Sequence, residues 1–255
     1  MVQIPSGVPS SLPLQERYQV PQLIHSGPPR LTHMRYCLPV SRMVESGQGC
    51  GTRYTTYRVP RDGGKSVPRR PRLLFAGGTY HVTARGNNGD AIFRDDHDRV
   101  TYLQLIAKAA RMTAARIFAY VLMSNHVHLV VQTPAPNLDV LIHGVHRPYA
   151  VGFNRRYGRS GHLFGSRYRS IPILDDTHLL EATRYIHRNP VRAGLVQRPE
   201  DFFWSSYRSY ISPQADGDLV DPGPVLDLLA RDRERGRAAY EKSCSRHQKL
   251  PGTEM

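Results

Sequence analysis

Two histidines one residue apart, His126 and His128, stand in the run Ser124-Asn125-His126-Val127-His128-Leu129-Val130-Val131, whose β-branched and aliphatic residues predict a strand. Side chains alternate across a strand, so Val127, Leu129 and Val131 can enter a core while both imidazoles stand together on the opposite face. Neutral imidazole nitrogen is a common ligand of divalent metals, and a strand holds two of them at a fixed separation. His-x-His alone is a weak signal, because any strand with two histidines can show it. A second group strengthens it: Tyr185-Ile186-His187-Arg188-Asn189-Pro190-Val191-Arg192 closes a segment of helical periodicity. On a helix, Tyr185 and Asn189 share one face a turn apart, which points a phenol and a carboxamide oxygen into the same space. Pro190 disfavours helical geometry at the residue before it and places the pair in the last turn.

A divalent ion held by His126, His128 and the Asn189 side-chain oxygen would keep open coordination positions, as a catalytic rather than structural site requires. Such an ion polarises a phosphodiester, and Tyr185 is placed to attack the phosphorus. A phenol is a poor nucleophile until deprotonated, so the ion and nearby arginines must favour the phenolate. A covalent phosphotyrosine is the expected intermediate, and because it retains the energy of the cleaved bond, the same site could cut and rejoin.

The charge supports a polyanionic partner. Residues 69–212 hold 20 basic against 10 acidic residues, a net +10, whereas residues 1–68 carry +5 and residues 213–255 carry −1. Arg85, Arg155, Arg156, Arg159, Arg167, Arg169, Arg188 and Arg192 are the candidate phosphate-binding residues. Cys37, Cys50 and Cys244 show no metal-binding spacing or disulfide framework, which predicts a reducing compartment. Neither a membrane-length apolar stretch nor a secretion signal is visible.

The elements that must position these residues follow from the patterning. Residues 1–68, rich in Pro, Ser and Gly without sustained periodicity, read as a disordered extension. Thr79 to Thr83 predicts a strand, and Asp95, Asp96 and Asp98 open a helix with Val100, Leu103, Ile106, Ala107 and Ala110 on one face. A strand from Arg116 to Met123 precedes the histidine strand. Leu138, Leu141, Ile142, Val145, Tyr149 and Phe153 trace a second helix that Pro148 should kink or split. A strand from Tyr168 to Leu174 and a helix capped by Asp175, Asp176 and Thr177 lead to Tyr185. The order β-α-β-β-α-β followed by a helix predicts an α+β fold, a ferredoxin-like split βαβ antiparallel sheet with helices packed on it and a catalytic helix on its C-terminal side. Residues 69–212 form the expected catalytic domain. Residues 213–255 read as a charged tail with a surface-lying helix from Pro224 to Lys242.

With these residues in place, the chain resembles the HUH single-tyrosine transposases, specifically the REP-associated tyrosine transposases of bacteria. His126-Val127-His128 matches the family's His-hydrophobic-His motif and Tyr185 to Val191 matches its Tyr-Ile-x-x-Asn-Pro-Val segment. The resemblance covers about residues 69–212, through Tyr80-His81-Val82, Arg85-Gly86-Asn87, Gly161-His162-Leu163-Phe164, Arg192-Ala193-Gly194-Leu195 and Trp204-Ser205-Ser206-Tyr207. It implies cleavage of single-stranded DNA beside a hairpin, a 5′-phosphotyrosine bond, a free 3′-hydroxyl, Mg or Mn as the metal, and a cytoplasmic, nucleoid-associated protein. The imidazole pair alone would equally suit Zn or Ni. Family members begin near Val67, so residues 1–66 are foreign to the pattern, as an upstream mis-start would make them.

A histidine-triad nucleotidyl hydrolase is disfavoured because it needs a third histidine where Val130 stands. A catalytically silent DNA-binding protein of the same fold is the alternative reading. Tyr149, Tyr157 and Tyr168 are expected in the core or on DNA, His162 and His187 in structural or phosphate-facing roles, and Trp204 packed under the domain. A chain beginning at Val67 should keep the thermal midpoint and nicking activity of the full chain. Unfolding or loss of cleavage on that truncation would make the extension a working part of the protein.

Overall fold

The structure is a computed structural model describing residues 72–213 and 219–245. The expected extension over 1–68 lies outside the described residues. Four strands and six helices are described: β1 (Thr79–Arg85), α1 (Asp96–Thr113), β2 (Arg116–Leu122), β3 (His126–Gln132), α2 (Leu138–Tyr157), β4 (Arg169–Ile173), α3 (Asp176–Arg192), α4 (Tyr207–Ile211), α5 (Gly223–Asp227) and α6 (Arg233–Ser245). The sheet order is β2-β3-β1-β4 with every neighbouring pair antiparallel. This is the expected α+β split βαβ arrangement, in which the two outer strands follow the helices and the two inner ones pair. No helix among the described residues is long and apolar enough to cross a membrane.

Strand alternation divides the sheet into two faces. In β1, Tyr80, Val82 and Ala84 are buried toward α1 and α2, and His81 and Thr83 point the other way. In β3, Val127, Leu129 and Val131 join that helical face, whereas His126, His128 and Val130 share the face of His81 and Thr83. The histidine face is itself covered. Val130 packs with Phe118, Ala119, Val121, Met123 and Ile173 of the sheet region against Ala182 and Ile186 of α3. A bulge at Phe118, between the paired residues Ile117 and Ala119, lets β2 add an extra side chain to that cluster. Burying Ile186 completely contributes on the order of 1.5–3 kcal/mol, enough to hold α3 down across β2 and β3.

The helices on the other face show where packing overrides a simple stripe. Asp95 caps α1 by accepting from the Asp98 backbone N–H at 3.0 Å, and Ala114 ends it in the left-handed region at φ 52. Its buried residues are Asp98, Tyr102, Ile106, Ala109, Ala110 and Thr113. Val100, Leu103 and Ala107 of the expected stripe are only half-buried, because the bulkier Tyr102 turns inward instead. Tyr102 stacks edge-on with Phe93 and Tyr149 at 5.2 and 4.9 Å and its hydroxyl lies 2.9 Å from His146 Nε2.

The expectation that Pro148 splits the second helix is corrected: α2 continues through it to Tyr157. Leu138, Leu141, Ile142, Val145, Tyr149 and Phe153 are buried on both sides of the proline, so packing holds the helix together, and Gly144, the residue whose carbonyl the proline ring crowds, carries no side chain. The C-terminal segment also needs correction. It is two helices rather than one, and the described residues fall in a single compact unit. Tyr240 is fully buried and Cys244 nearly so, because α6 turns an aromatic face onto α3 and α4.

Burial holds His146 down to about 4 and His187 down to about 3, so both are neutral in the folded chain at neutral pH. An unfolded histidine takes up its proton near pH 6.5, so the unfolded state binds protons first as the pH falls. The thermal midpoint should therefore stay level above about pH 7 and drop from about pH 6.5 downward, before carboxylate protonation begins near pH 4. A midpoint that rises between pH 6.5 and 5 would contradict the buried neutral histidines.

Candidate active site

The register of β1 on β3 builds one wall of the site. Arg85 pairs with His126, Thr83 with His128 and His81 with Val130, and partners across an antiparallel ladder project to the same side. The His126 and His128 rings lie 5.1 Å apart. The opposite wall is α3, whose Asp175 cap accepts from the His178 backbone N–H at 2.8 Å. Tyr185 stands toward the histidines, its ring 5.7 Å from that of His128 and 5.9 Å from that of His81, with 39% of the residue exposed and open to a substrate. Asn189 lies in the last turn of α3, as expected, with its side chain beside His126. The four residues picked out in the sequence, His126, His128, Tyr185 and Asn189, thus converge.

Their protonation suits ligation. Burial first, then the neighbouring His81 and His126, holds His128 down to about 3. Burial lowers His126, opposed by the hydrogen bond to Asn189 and assisted by Arg85. Both are neutral imidazoles at neutral pH, the form that binds metal. The Asn125 side-chain amide donates to Gly89 O at 3.1 Å, which turns its oxygen toward His126 Nδ1 at 2.7 Å. His126 Nδ1 therefore carries the proton and Nε2 keeps its lone pair. For His128 to present Nε2 in the same way, Nδ1 must donate, and two acceptors are in reach: His81 Nε2 at 2.9 Å and Thr83 Oγ1 at 3.1 Å.

Among the described residues no group of three or more His, Cys, Asp or Glu side chains could hold a metal. The donor set here is two imidazoles and a carboxamide, with tautomers supported from behind, and it fits a divalent ion that retains open positions. His81 and Thr83 were not singled out as site residues from the sequence. The alternation of Tyr80-His81-Val82-Thr83 places them on one polar face, but the pairing that sets them behind His128 is long-range.

The arginines separate into groups. Arg85 and Arg169 are exposed on the histidine face, Arg169 being paired with Thr83 across the β1–β4 ladder. Arg192 places its guanidinium 5.0 Å from the Tyr185 ring centroid, and Arg188 is half-buried on the same helix. Arg156 is committed elsewhere: it donates to both carboxylate oxygens of Asp95, at 2.9 and 2.6 Å, and to Asp98 at 2.7 Å. That triple pairing ties the end of α2 to the cap of α1. Arg159 lies 3.4 Å from Asp90, and Arg155 is exposed at the end of α2. Arg167 lines a separate groove of about 1120 Å³ with Arg72, Lys108 and Arg147, at the α1–α2 side. Of the other tyrosines, Tyr149 is buried and donates to Ile92 O, Tyr157 donates to Asp98 at 2.9 Å, and Tyr168 carries Arg72 on its ring. His187 is fully buried and Trp204 is nearly so.

Residues 75–189 match the family model described as transposase IS200 like. A solved structure described as the REP-associated tyrosine transposase bound to a REP hairpin is similar in fold, at 19% identity and a TM-score of 0.50, covering 61% of this chain and 94% of that one. A candidate transposase from Deinococcus radiodurans R1 is 14% identical with a TM-score of 0.33, covering 49% of this chain and 97% of that one. No curated protein matches the chain.

The pairing of Arg156 with Asp95 and Asp98 predicts that Arg156→Glu lowers the thermal midpoint and that Arg155→Glu leaves it level. Equal midpoints in a melting experiment would show that the ion pairs contribute nothing to the fold.

Proposed function

We propose that this protein nicks single-stranded DNA beside a hairpin through a 5′-phosphotyrosine at Tyr185 and transfers the released end. The observation that carries this reading is the convergence of a half-exposed tyrosine with two neutral imidazoles and a carboxamide. The match of residues 75–189 to the IS200-like transposase model and the hairpin bound by the similar solved structure favour DNA as the partner.

Mg or Mn held by His126, His128 and Asn189 would polarise the scissile phosphate and stabilise charge on its oxygens. The remaining steps belong to the chain. Arg85 and Arg169, exposed on the clamp face, are placed to lay the phosphate backbone across β1, where such contacts fix register without reading sequence. Arg192, its guanidinium 5.0 Å from the Tyr185 ring centroid, is placed to meet the phosphate that Tyr185 attacks. The Tyr185 oxygen attacks phosphorus, a phosphorus–oxygen bond forms to tyrosine, and the bond to the 3′-oxygen breaks. The phenolic proton is the one gained, through the surroundings, by the departing 3′-hydroxyl. Attack by a second 3′-hydroxyl reverses these changes and joins a new strand.

His81 has a supporting part in this scheme, because its contact with Nδ1 orients His128. Tyr185→Phe should abolish the covalent adduct with hairpin-bearing single-stranded DNA and leave binding unchanged. His126→Ala, His128→Ala and added chelator should each cut cleavage steeply, and His81→Phe should weaken Mn binding on the order of 10-fold or more. Binding without any nicking by the wild type in Mg or Mn would replace this reading by a catalytically silent DNA-binding protein, and full activity in chelator would remove the metal from it.

A further inference from the structure

His187 lies two residues beyond Tyr185 on α3, faces away from the substrate side, and is completely buried. An apolar residue would fill that volume without a desolvation cost, so both ring nitrogens need partners, and they have them. His187 Nδ1 lies 2.7 Å from the Tyr240 hydroxyl on α6, and Nε2 lies 2.7 Å from the Ser206 hydroxyl. Ser206 is in turn laced to β2: its Oγ accepts from Tyr120 N–H at 2.9 Å and lies 3.3 Å from Tyr120 O, and its own N–H donates to Tyr120 O at 3.0 Å. Leu122 N–H donates to Trp204 O at 2.8 Å one step along the same strand. Tyr120 and Val121 pair directly with Leu129 and His128 of β3.

One tautomer satisfies every group in this chain of contacts. With the proton on Nε2, His187 donates to Ser206, Tyr240 donates to Nδ1, and the Ser206 hydroxyl hydrogen is left for Tyr120 O. The partners come from different elements, so the imidazole cannot rotate or slide along the helix axis without losing one of them. Tyr207, Tyr210 and Tyr240 rings enclose it with centroids 5.6, 4.8 and 5.8 Å away. Arg184, one residue before the tyrosine, donates to Ser243 O at 2.9 Å and pins the same helix to α6 a second time.

We infer that His187 is a positioning residue for Tyr185, and that the Tyr240–His187–Ser206–Tyr120 chain of contacts fixes the nucleophile helix in register with the histidine strand. It acts from behind the helix, touches neither DNA nor metal, and gives the C-terminal helix α6 a role in the reaction. The apolar contacts of Ala182 and Ile186 hold α3 against the sheet but are non-directional. Directional bonds at His187 supply what those contacts lack. This inference rests on Tyr185 being the nucleophile of the proposed nicking reaction.

The test uses the full chain carrying Tyr240→Phe or Ser206→Ala, each removing one hydroxyl, with Ile106→Val on α1 as a remote core control. At saturating hairpin-bearing single-stranded DNA with Mn, the single-turnover rate of adduct formation should fall by about 10-fold or more in both hydroxyl variants, the scale of loss when a reacting group is slightly misplaced. DNA affinity should be unchanged, and the control should keep the wild-type rate. His187→Asn, able to keep a bond toward Tyr240, should retain more rate than His187→Ala. Hydrogen exchange gives a reading that needs no DNA: the segment 182–189 should exchange faster in Tyr240→Phe while α1 and α2 stay protected as in the wild type. Wild-type adduct rates together with unchanged exchange at 182–189 would overturn the positioning role, as would a uniform rise in exchange over the whole domain. If the wild type forms no adduct, the nicking reading has failed, and the exchange pattern alone decides whether the brace exists.

Discussion

The antiparallel pairing of β1 with β3 is the constraint on which the site depends. It sets Thr83 opposite His128 and Arg85 opposite His126, and it brings His81 near enough to His128 for a direct hydrogen bond. A slip of one residue would turn every one of these side chains to the other face, where Tyr80, Val82, Val127 and Leu129 now pack beneath α1 and α2. The apolar halves of the two strands therefore lock the polar halves in place. Stability of the helical face and geometry of the histidine face are two consequences of one register.

The second wall rests on the same sheet from the other side. Val130 is part of the strand that carries His126 and His128, yet it lies in the cluster with Ala182 and Ile186, so that strand and the helix carrying Tyr185 share a core. His128 sits at the edge of that cluster, and burial there keeps its imidazole neutral. The neutral form of the ring thus follows from its burial, with His81 and His126 adding to it. Buried polar contacts at Ser206, His187 and Tyr240 then extend the connection from β2 through α3 to α6, which makes the C-terminal helix part of the same compact unit rather than an appendage.

Much of this was legible from local pattern. The period-two run around His126 and His128 and the four-residue interval between Tyr185 and Asn189 needed only strand and helix geometry, and the Asp95 and Asp175 caps marked where two helices begin. What depended on distant partners was not. Arg156 reads as one more cation in a basic run until Asp95 and Asp98 are brought to it by the packing of α2 on α1. His81 reads as a polar strand residue until β1 pairs with β3. Tyr240 lies in a segment whose alternation of Arg, Asp and Glu resembles a solvated helix, and only the aromatic pocket around His187 shows which side is buried. The split that Pro148 offered does not occur, because a strong local rule is outweighed by six buried side chains, four before the proline and two after it.

The central claim is that the residue facing the histidine pair is the one that becomes joined to DNA. Incubating the protein with labelled hairpin-bearing single-stranded DNA and Mn, digesting it with protease and locating the nucleotide-bearing peptide by mass spectrometry tests this directly. The predicted result is a nucleotide 5′-phosphate on Tyr185 alone. Linkage at any other tyrosine, or cleaved DNA with no linked peptide, would contradict it.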